Sequence, residues 1–195
     1  MMIDPKLVMQ LREQTGAGVL DAKKALEETQ GDIEKATTNL RKSGVLKAAK
    51  KAERATNEGV VHAYVHGGGK VGVLVELLCE TDFVARNPEF EELAHDLALQ
   101  IAATNPLYVK PEDVPQEVVE KEKSIYGEET TGKPANIVEK IVQGKLDKWY
   151  SDVCLMRQSF IKDEDLTIEE VVKSKISKLG ENIQVRRFVR FSLGG

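Results

Sequence analysis

Cysteine is almost absent from this chain. Cys79 and Cys154 are the only two, they lie far apart and they form no C-x-x-C pair. That excludes a disulfide-rich framework; the expectation is two reduced thiols, at least one in a core strand, with a disulfide within or between chains as the alternative. Aromatic residues are scarce as well, at 5% of 195 residues. No apolar run approaches the ~20 residues that a membrane helix requires. The opening MMIDPKLVMQ has neither a basic-then-apolar signal nor an Arg-rich transit pattern, so the chain is expected to stay in the compartment where it is made. A large charge of one sign is also missing: the net charge is −4, and the chain as a whole is no binder of nucleic acid or membrane by charge alone. No G-x-S-x-G, H-E-x-x-H or nucleophile–histidine motif occurs. Its many carboxylates read as solvated helix faces, so no catalytic residue, metal set or cofactor is assigned, and an enzyme is left unsupported.

What is present is charge, at 31% of residues, unevenly spread. Arg41, Lys42, Lys47, Lys50, Lys51 and Arg54 stand against Glu53 alone, whereas acids dominate from Glu76 to Glu129. A basic neck joined to an acidic body suggests a protein partner at least as much as a polyanion. The neck has no interleaved aromatics on which bases could stack, and a solvated helix face explains it equally well.

Apolar spacing at Leu7, Val8 and Leu11, after Asp4-Pro5, predicts a capped first helix ending at the glycines of TGAG, residues 15–18. Leu20, Ala22, Ala25 and Leu26 predict a second helix. Asp32 caps a third carrying Ile33, Ala36, Thr37 and Leu40; Gly44 interrupts it, and residues 45–55 resume as a basic helix. From residue 58 the period becomes two. Val61, Ala63 and Val65 alternate with His62, Tyr64 and His66 as the inner face of a half-buried strand, HGGGK turns, and Val71, Val73, Val75 and Leu77 form a second strand. Phe90, Leu93, Ala94, Leu97 and Ile101 form one stripe of a helix over 88–104, a proline-rich loop covers 105–115, and helical patterns return at 116–126 and 135–150. Asp165 or Thr167 is expected to cap a last helix to Lys178, and NIQVRRFVRF, 182–191, reads as a strand that joins the hairpin. The fold class expected is α+β: an N-terminal three-helix, UBA-like module with its basic linker over 1–54, then an α+β domain over 55–195 with a small antiparallel β-sheet and helices on one face.

Candidate sites reduce quickly. His62 and His66 have the i, i+4 spacing of helical metal ligands, but on a strand that spacing spans about 13 Å, too far for one ion. HGGGK lacks the Ser or Thr and the following helix of a phosphate loop. There remains ETDFVARN, 80–87. Either Asp82 caps a helix while Phe83 enters the core, or Phe83 is an exposed apolar anchor for a partner's pocket.

Long blocks of the chain resemble bacterial-type elongation factor Ts. They are LREQTGAGVLDAKKALEETQGDIEKATTNLRKSG (11–44), KAAKKAERATNEG (47–59), ETDFVARNPEF (80–90), VKPEDV (109–114), GKPANIVEKIVQGKLDKWY (132–150) and ENIQVRRFVRF (181–191). The resemblance implies a guanine-nucleotide exchange factor for elongation factor Tu in translation elongation. It acts without chemistry of its own, in the cytoplasm or in an organelle that encodes it. It implies that Thr81, Asp82, Phe83 and Val84 enter the partner's nucleotide-binding domain, which favours the anchor reading of Phe83. It also implies partner contacts from Leu11, Arg12, Gly16, Gly18, Val19 and Leu20 of the module, with Leu20 the more core-like of the last pair, and from Lys51 and His66. Phe188 to Phe191 are expected to build the sheet. Larger members carry a second sheet subdomain and an inserted coiled coil for which this chain has no room. The short form is therefore expected to pair as a homodimer.

Overall fold

The computed structural model describes residues 3–130 and 134–194, without the side chains of Val45 and Ala135. Met1 and Met2, and Gly132 and Lys133 of the block at 132–150, lie outside the described residues. The chain forms two compact units. The first comprises Met1–His62, Val75–Asp96 and Glu170–Arg186; the second comprises Ala63–Leu74, Leu97–Glu169 and Arg187–Gly195.

The first unit begins with α1 (Pro5–Thr15), α2 (Val19–Glu28) and α3 (Ile33–Ala49). The Asp4 carboxylate accepts from the Lys6 amide at 2.9 Å, and Asp32 accepts from the Lys35 amide at 3.0 Å. Gly16 closes α1 at φ +65°, where its amide donates to the Arg12 carbonyl at 2.8 Å. A left-handed residue there favours glycine. Val8, Leu11, Ala22, Ala25, Leu26 and Ala36 form the module's core, flanked by Ile3, Leu7, Ala17, Ile33 and Leu40. This is the expected three-helix arrangement, with one difference. Gly44 does not interrupt the third helix; α3 runs through it to Ala49, and residues 51–53 are turn rather than helix. A lone glycine weakens a helix by about 1 kcal/mol without breaking it. Here it lies against α8 (Ile168–Leu179), where an added Cβ would sit 3.9 Å from Ser177 Cβ.

Two strands, β1 (Glu58–His66) and β2 (Val71–Cys79), form the expected hairpin across the glycine turn, and β5 (Gln184–Ser192) joins β2, giving the order β1-β2-β5. On β2, Val73, Val75, Leu77 and Cys79 are buried. The alternation on β1 is real but opposite in phase to the sequence reading: Val61 and Val65 are exposed, while His62 and Tyr64 are half-buried. The His62 ring is held edge-on to His95, centroids 5.4 Å apart, on α5 (Pro88–Thr104). Gly59, at φ +150°, brings β1 so near β2 that a Cβ would lie 2.1 Å from the Leu77 carbonyl oxygen. The stripe expected on α5 (Phe90, Leu93, Ala94, Leu97 and Ile101) is fully buried.

In the second unit, α6 (Gln116–Glu128) and α7 (Ala135–Val153) follow the loop, which contains a 3₁₀ turn at Pro111–Asp113. The sequence reading missed a small hairpin of β3 (Ser159–Phe160) and β4 (Asp163–Thr167). Asp165 and Thr167 belong to β4, and Thr167, one of the two residues expected to cap the last helix, directly precedes α8. The hairpin is held by a buried amide: Gln100 Nε2 donates to Gln158 Oε1 at 3.2 Å and to the Ser159 carbonyl at 3.1 Å, and its Oε1 accepts from the Ile161 amide at 2.9 Å. Both cysteines are free and buried. Burial, with Glu181 second, pushes the Cys79 thiol up to about 11; burial, with Asp113 second, does the same to Cys154.

The fold is α+β, as expected: N-terminal helices followed by a small antiparallel sheet with helices.

Candidate functional site

ETDFVARN lies where β2 ends. Four of its residues form one short helical turn, α4 (Asp82–Ala85), between β2 and α5. Its cap is Thr81 rather than Asp82: Thr81 Oγ1 accepts from the Val84 amide at 3.5 Å. Asp82 is instead paired with Arg86 at 3.0 Å. Ala85 is buried and anchors the turn from below, whereas Phe83 is 84% exposed. Nothing in the composition of the segment forces a ring outward, since an N-cap with a buried neighbour satisfies the same residues. The exposure follows from which residue caps. With Thr81 as the cap, Phe83 occupies the second helical position and Ala85 the inward one. A large ring left in solvent forgoes about 2 kcal/mol of burial.

The turn rests on a brace that no local pattern reveals. Glu181, just before β5, accepts from the Glu80 amide at 3.1 Å, from the Thr81 amide at 3.0 Å and from the Thr81 hydroxyl at 2.6 Å. Glu80 answers in the opposite direction, accepting from the Asn182 amide at 2.6 Å and pairing with Arg54 at 3.4 Å. Asn182, itself buried, donates through Nδ2 to the carbonyls of Ala52 and Arg54 at 3.3 and 2.9 Å. The Cys79 thiol donates to the Thr81 carbonyl at 3.2 Å.

The module's candidates separate by depth. Leu20 is 82% exposed and Val19 52%, so the expectation that Leu20 is the more core-like of the two is reversed. Both follow the Gly18 N-cap; Leu20 lies on the side of α2 opposite buried Ala22, Ala25 and Leu26, and Val19 sits at the N-terminal edge of the buried face. Arg12 and Gly18 are exposed. Leu11 is wholly buried in the module's core and offers no atom to a partner. Gly16 is half-covered, with Lys178 Cδ 3.6 Å from where a Cβ would stand. Lys51 Nζ donates to the Ile176 carbonyl at 3.4 Å, near the C-terminus of α8, and burial, then the Arg54 charge, lowers its pKa. His66 is exposed and hydrogen-bonded through Nδ1 to the Tyr64 hydroxyl at 2.9 Å. His62 does not meet His66 but His95, with 3.4 Å between ring nitrogens; burial, then His95, lowers its pKa. Among the described residues no group of three or more His, Cys, Asp or Glu is arranged for a metal ion, and no helix is long and apolar enough to cross a membrane.

The family model described as Elongation factor TS matches residues 8–195. This chain belongs to the elongation factor Ts family. The Elongation factor Ts of Carboxydothermus hydrogenoformans is 57% identical over 195 residues, 99% of this chain and 90% of the relative. That of Thermosipho melanesiensis is 56% identical, covering 99% and 100%. That of Coprothermobacter proteolyticus is 55% identical over 196 residues, covering 100% of both chains. The chain spans 90–100% of the length of these relatives. The chain is accordingly a translation elongation factor, and the matched span takes in α4, the Glu181 segment and the α1–α2 patch.

Proposed function

We propose that the chain is a guanine-nucleotide exchange factor for elongation factor Tu, with Phe83 as the wedge and the α1–α2 patch as the docking surface. The observation that carries this reading is a phenylalanine left 84% exposed on a turn that is itself tightly held. A GTPase of the phosphate-loop type holds its nucleotide through backbone amides and a Mg²⁺ with strict octahedral geometry. A rigid ring pressed between helices beside that shell, with Thr81, Asp82 and Val84 around it, displaces the groups that support the metal and weakens GDP. The factor makes and breaks no covalent bond. It binds the nucleotide-free state more tightly than the loaded one, and by reciprocity GDP weakens the factor as much as the factor weakens GDP. Arg12, Gly16, Gly18, Val19 and Leu20, supported by Leu11, supply affinity, while Lys51 and His66 flank the contact. The work is done where elongation runs, in the cytoplasm or in an organelle with its own ribosomes.

Release of a fluorescent GDP analogue from elongation factor Tu tests the proposal. Acceleration that saturates with the factor's concentration is expected, and Phe83→Ala is expected to reduce the saturating rate while its melt stays cooperative. No acceleration of a cognate partner ends this reading.

A second copy of the chain is the proposed second partner. In the second unit Val65, Leu74, Val189, Phe191 and Leu193 are exposed. Leu74 faces away from buried Val73, and Val189 and Phe191 flank Arg190, whose guanidinium donates to the Ala102 carbonyl of α5 at 3.3 Å. Phe191 thus builds the strand, as expected, yet holds its ring on the face opposite the helix. An identical apolar face on a second chain is self-complementary about a two-fold axis. Sedimentation at micromolar concentration is expected to show a dimer that Phe191→Asp converts to monomer; a monomeric parent chain rejects it.

A further inference from the structure

We propose that Glu181 is a positioning residue for nucleotide exchange, acting through the orientation of Phe83; the proposal rests on the exchange reading above. Every polar atom of Thr81 is committed. Its amide and hydroxyl donate to the Glu181 carboxylate at 3.0 and 2.6 Å, and its carbonyl accepts from the Cys79 thiol at 3.2 Å and from the Ala85 amide at 3.2 Å.

The hydroxyl carries one proton, and a carboxylate only accepts. The short contact therefore turns the Thr81 O–H toward Glu181, which leaves an oxygen lone pair to accept from the Val84 amide. Glu181 in this way makes Thr81 a cap, and the cap dictates which side of the turn Phe83 leaves from. Phe83, being 84% exposed, has little packing of its own to orient it. The carboxylate 98 positions later in the chain holds the base of the ring in one direction before any partner arrives.

Glu80 extends the brace. It links the same turn to Asn182 and Arg54, and Asn182 links on to the carbonyls of Ala52 and Arg54. The neck leaving the N-terminal module is thus tied by direct hydrogen bonds to the turn that carries the wedge. A preorganised ring loses no orientational freedom at the moment of insertion, so the effect belongs to the rate from the docked complex rather than to docking.

The test compares the full-length parent chain with Glu181→Ala, Glu181→Gln, Thr81→Val, Phe83→Ala and the Glu181→Ala/Phe83→Ala double variant in GDP release from elongation factor Tu. Glu181→Ala is expected to lower the saturating release rate on the order of tenfold, with the half-saturating concentration nearly unchanged. Glu181→Gln keeps an acceptor for the two amides but loses the acceptor for the hydroxyl, so it is expected to fall between. The double variant is expected to match Phe83→Ala, because Glu181 has nothing left to orient. A parent chain that fails to accelerate release overturns the exchange reading and this proposal with it. A parent and a Phe83→Ala variant that behave as expected, with Glu181→Ala equal to the parent, overturn the proposal alone. Losses that multiply in the double variant do the same. Should Glu181→Ala fail to melt cooperatively, Glu181→Gln and Thr81→Val decide: both equal to the parent overturn the proposal, and both reduced in saturating rate support it.

Discussion

At the scale of the residue, the same kind of side chain does opposite work nine positions apart. Leu11 is fully buried among helices and Leu20 is 82% exposed. Leu11→Ala is expected to destabilise by about 2–5 kcal/mol, as core truncations do. Leu20→Ala is expected to stay within about 0.5 kcal/mol, while raising the half-saturating concentration for the partner. Thermal melts and GDP-release titrations read the two effects separately. Apolar spacing fits each leucine to the stripe of its own helix, Leu11 on α1 and Leu20 on α2; only the packing of the three helices on one another separates them. The same holds for Phe83. Its exposure depends on Thr81 acting as the cap, and that depends on Glu181, a partner too distant in the chain for any periodicity to pair. Charge behaves likewise. Glu89 is lowered in pKa: burial pushes it up, but the hydrogen bond and charge of Lys178, at 2.7 Å, and of Lys175, at 3.4 Å, outweigh it. A carboxyl with a lowered folded pKa stabilises above its ordinary value of 4.5, and this contribution is lost as pH falls through the folded value. Melting temperature measured from neutral pH down to about pH 3 is expected to drop less steeply in Glu89→Gln than in the parent.

At the scale of the element, glycines separate what local sequence encodes from what it does not. The turn of the hairpin, the Asp4 and Asp32 caps and the Gly16 stop were all legible, because each is a local satisfaction of backbone groups. Gly44 and Gly59 were not, because their reasons lie on other elements. Gly44→Ala adds a Cβ at ordinary contact distance, 3.9 Å from Ser177 Cβ, and removes a helix-interior glycine. It is expected to stabilise by about 0.5–1 kcal/mol. Gly59→Ala meets the Leu77 carbonyl at 2.1 Å with φ at +150°, and is expected to cost more than about 2 kcal/mol. Chemical denaturation of the two variants against the parent checks both signs. The β1 phase was misread for a related reason. Valine and the His–Tyr set are both compatible with either face of an edge strand, so the local alternation does not fix which one turns inward.

At the scale of the molecule, the fold class and the order of its elements were legible from composition and period, and the hairpin of β3 and β4 was not, since two short strands give no period. Deleting residues 1–54 is expected to leave a chain that still melts cooperatively, at a lower temperature because Asn182 and Glu80 lose their partners at Ala52 and Arg54, and that docks weakly on elongation factor Tu. Calorimetry and the release titration measure both. The two thiols carry a consequence of their own. Cys79 belongs to the first compact unit and Cys154 to the second, both are buried, and both titrate near 11. At pH 8 neither reacts with an alkylating reagent until its surroundings open, so each labelling rate is a clock for the opening of one unit. Nature has placed one reporter in each half. Mass spectrometry of the alkylated native chain then yields two opening free energies, each assigned to its own unit, without a single engineered residue.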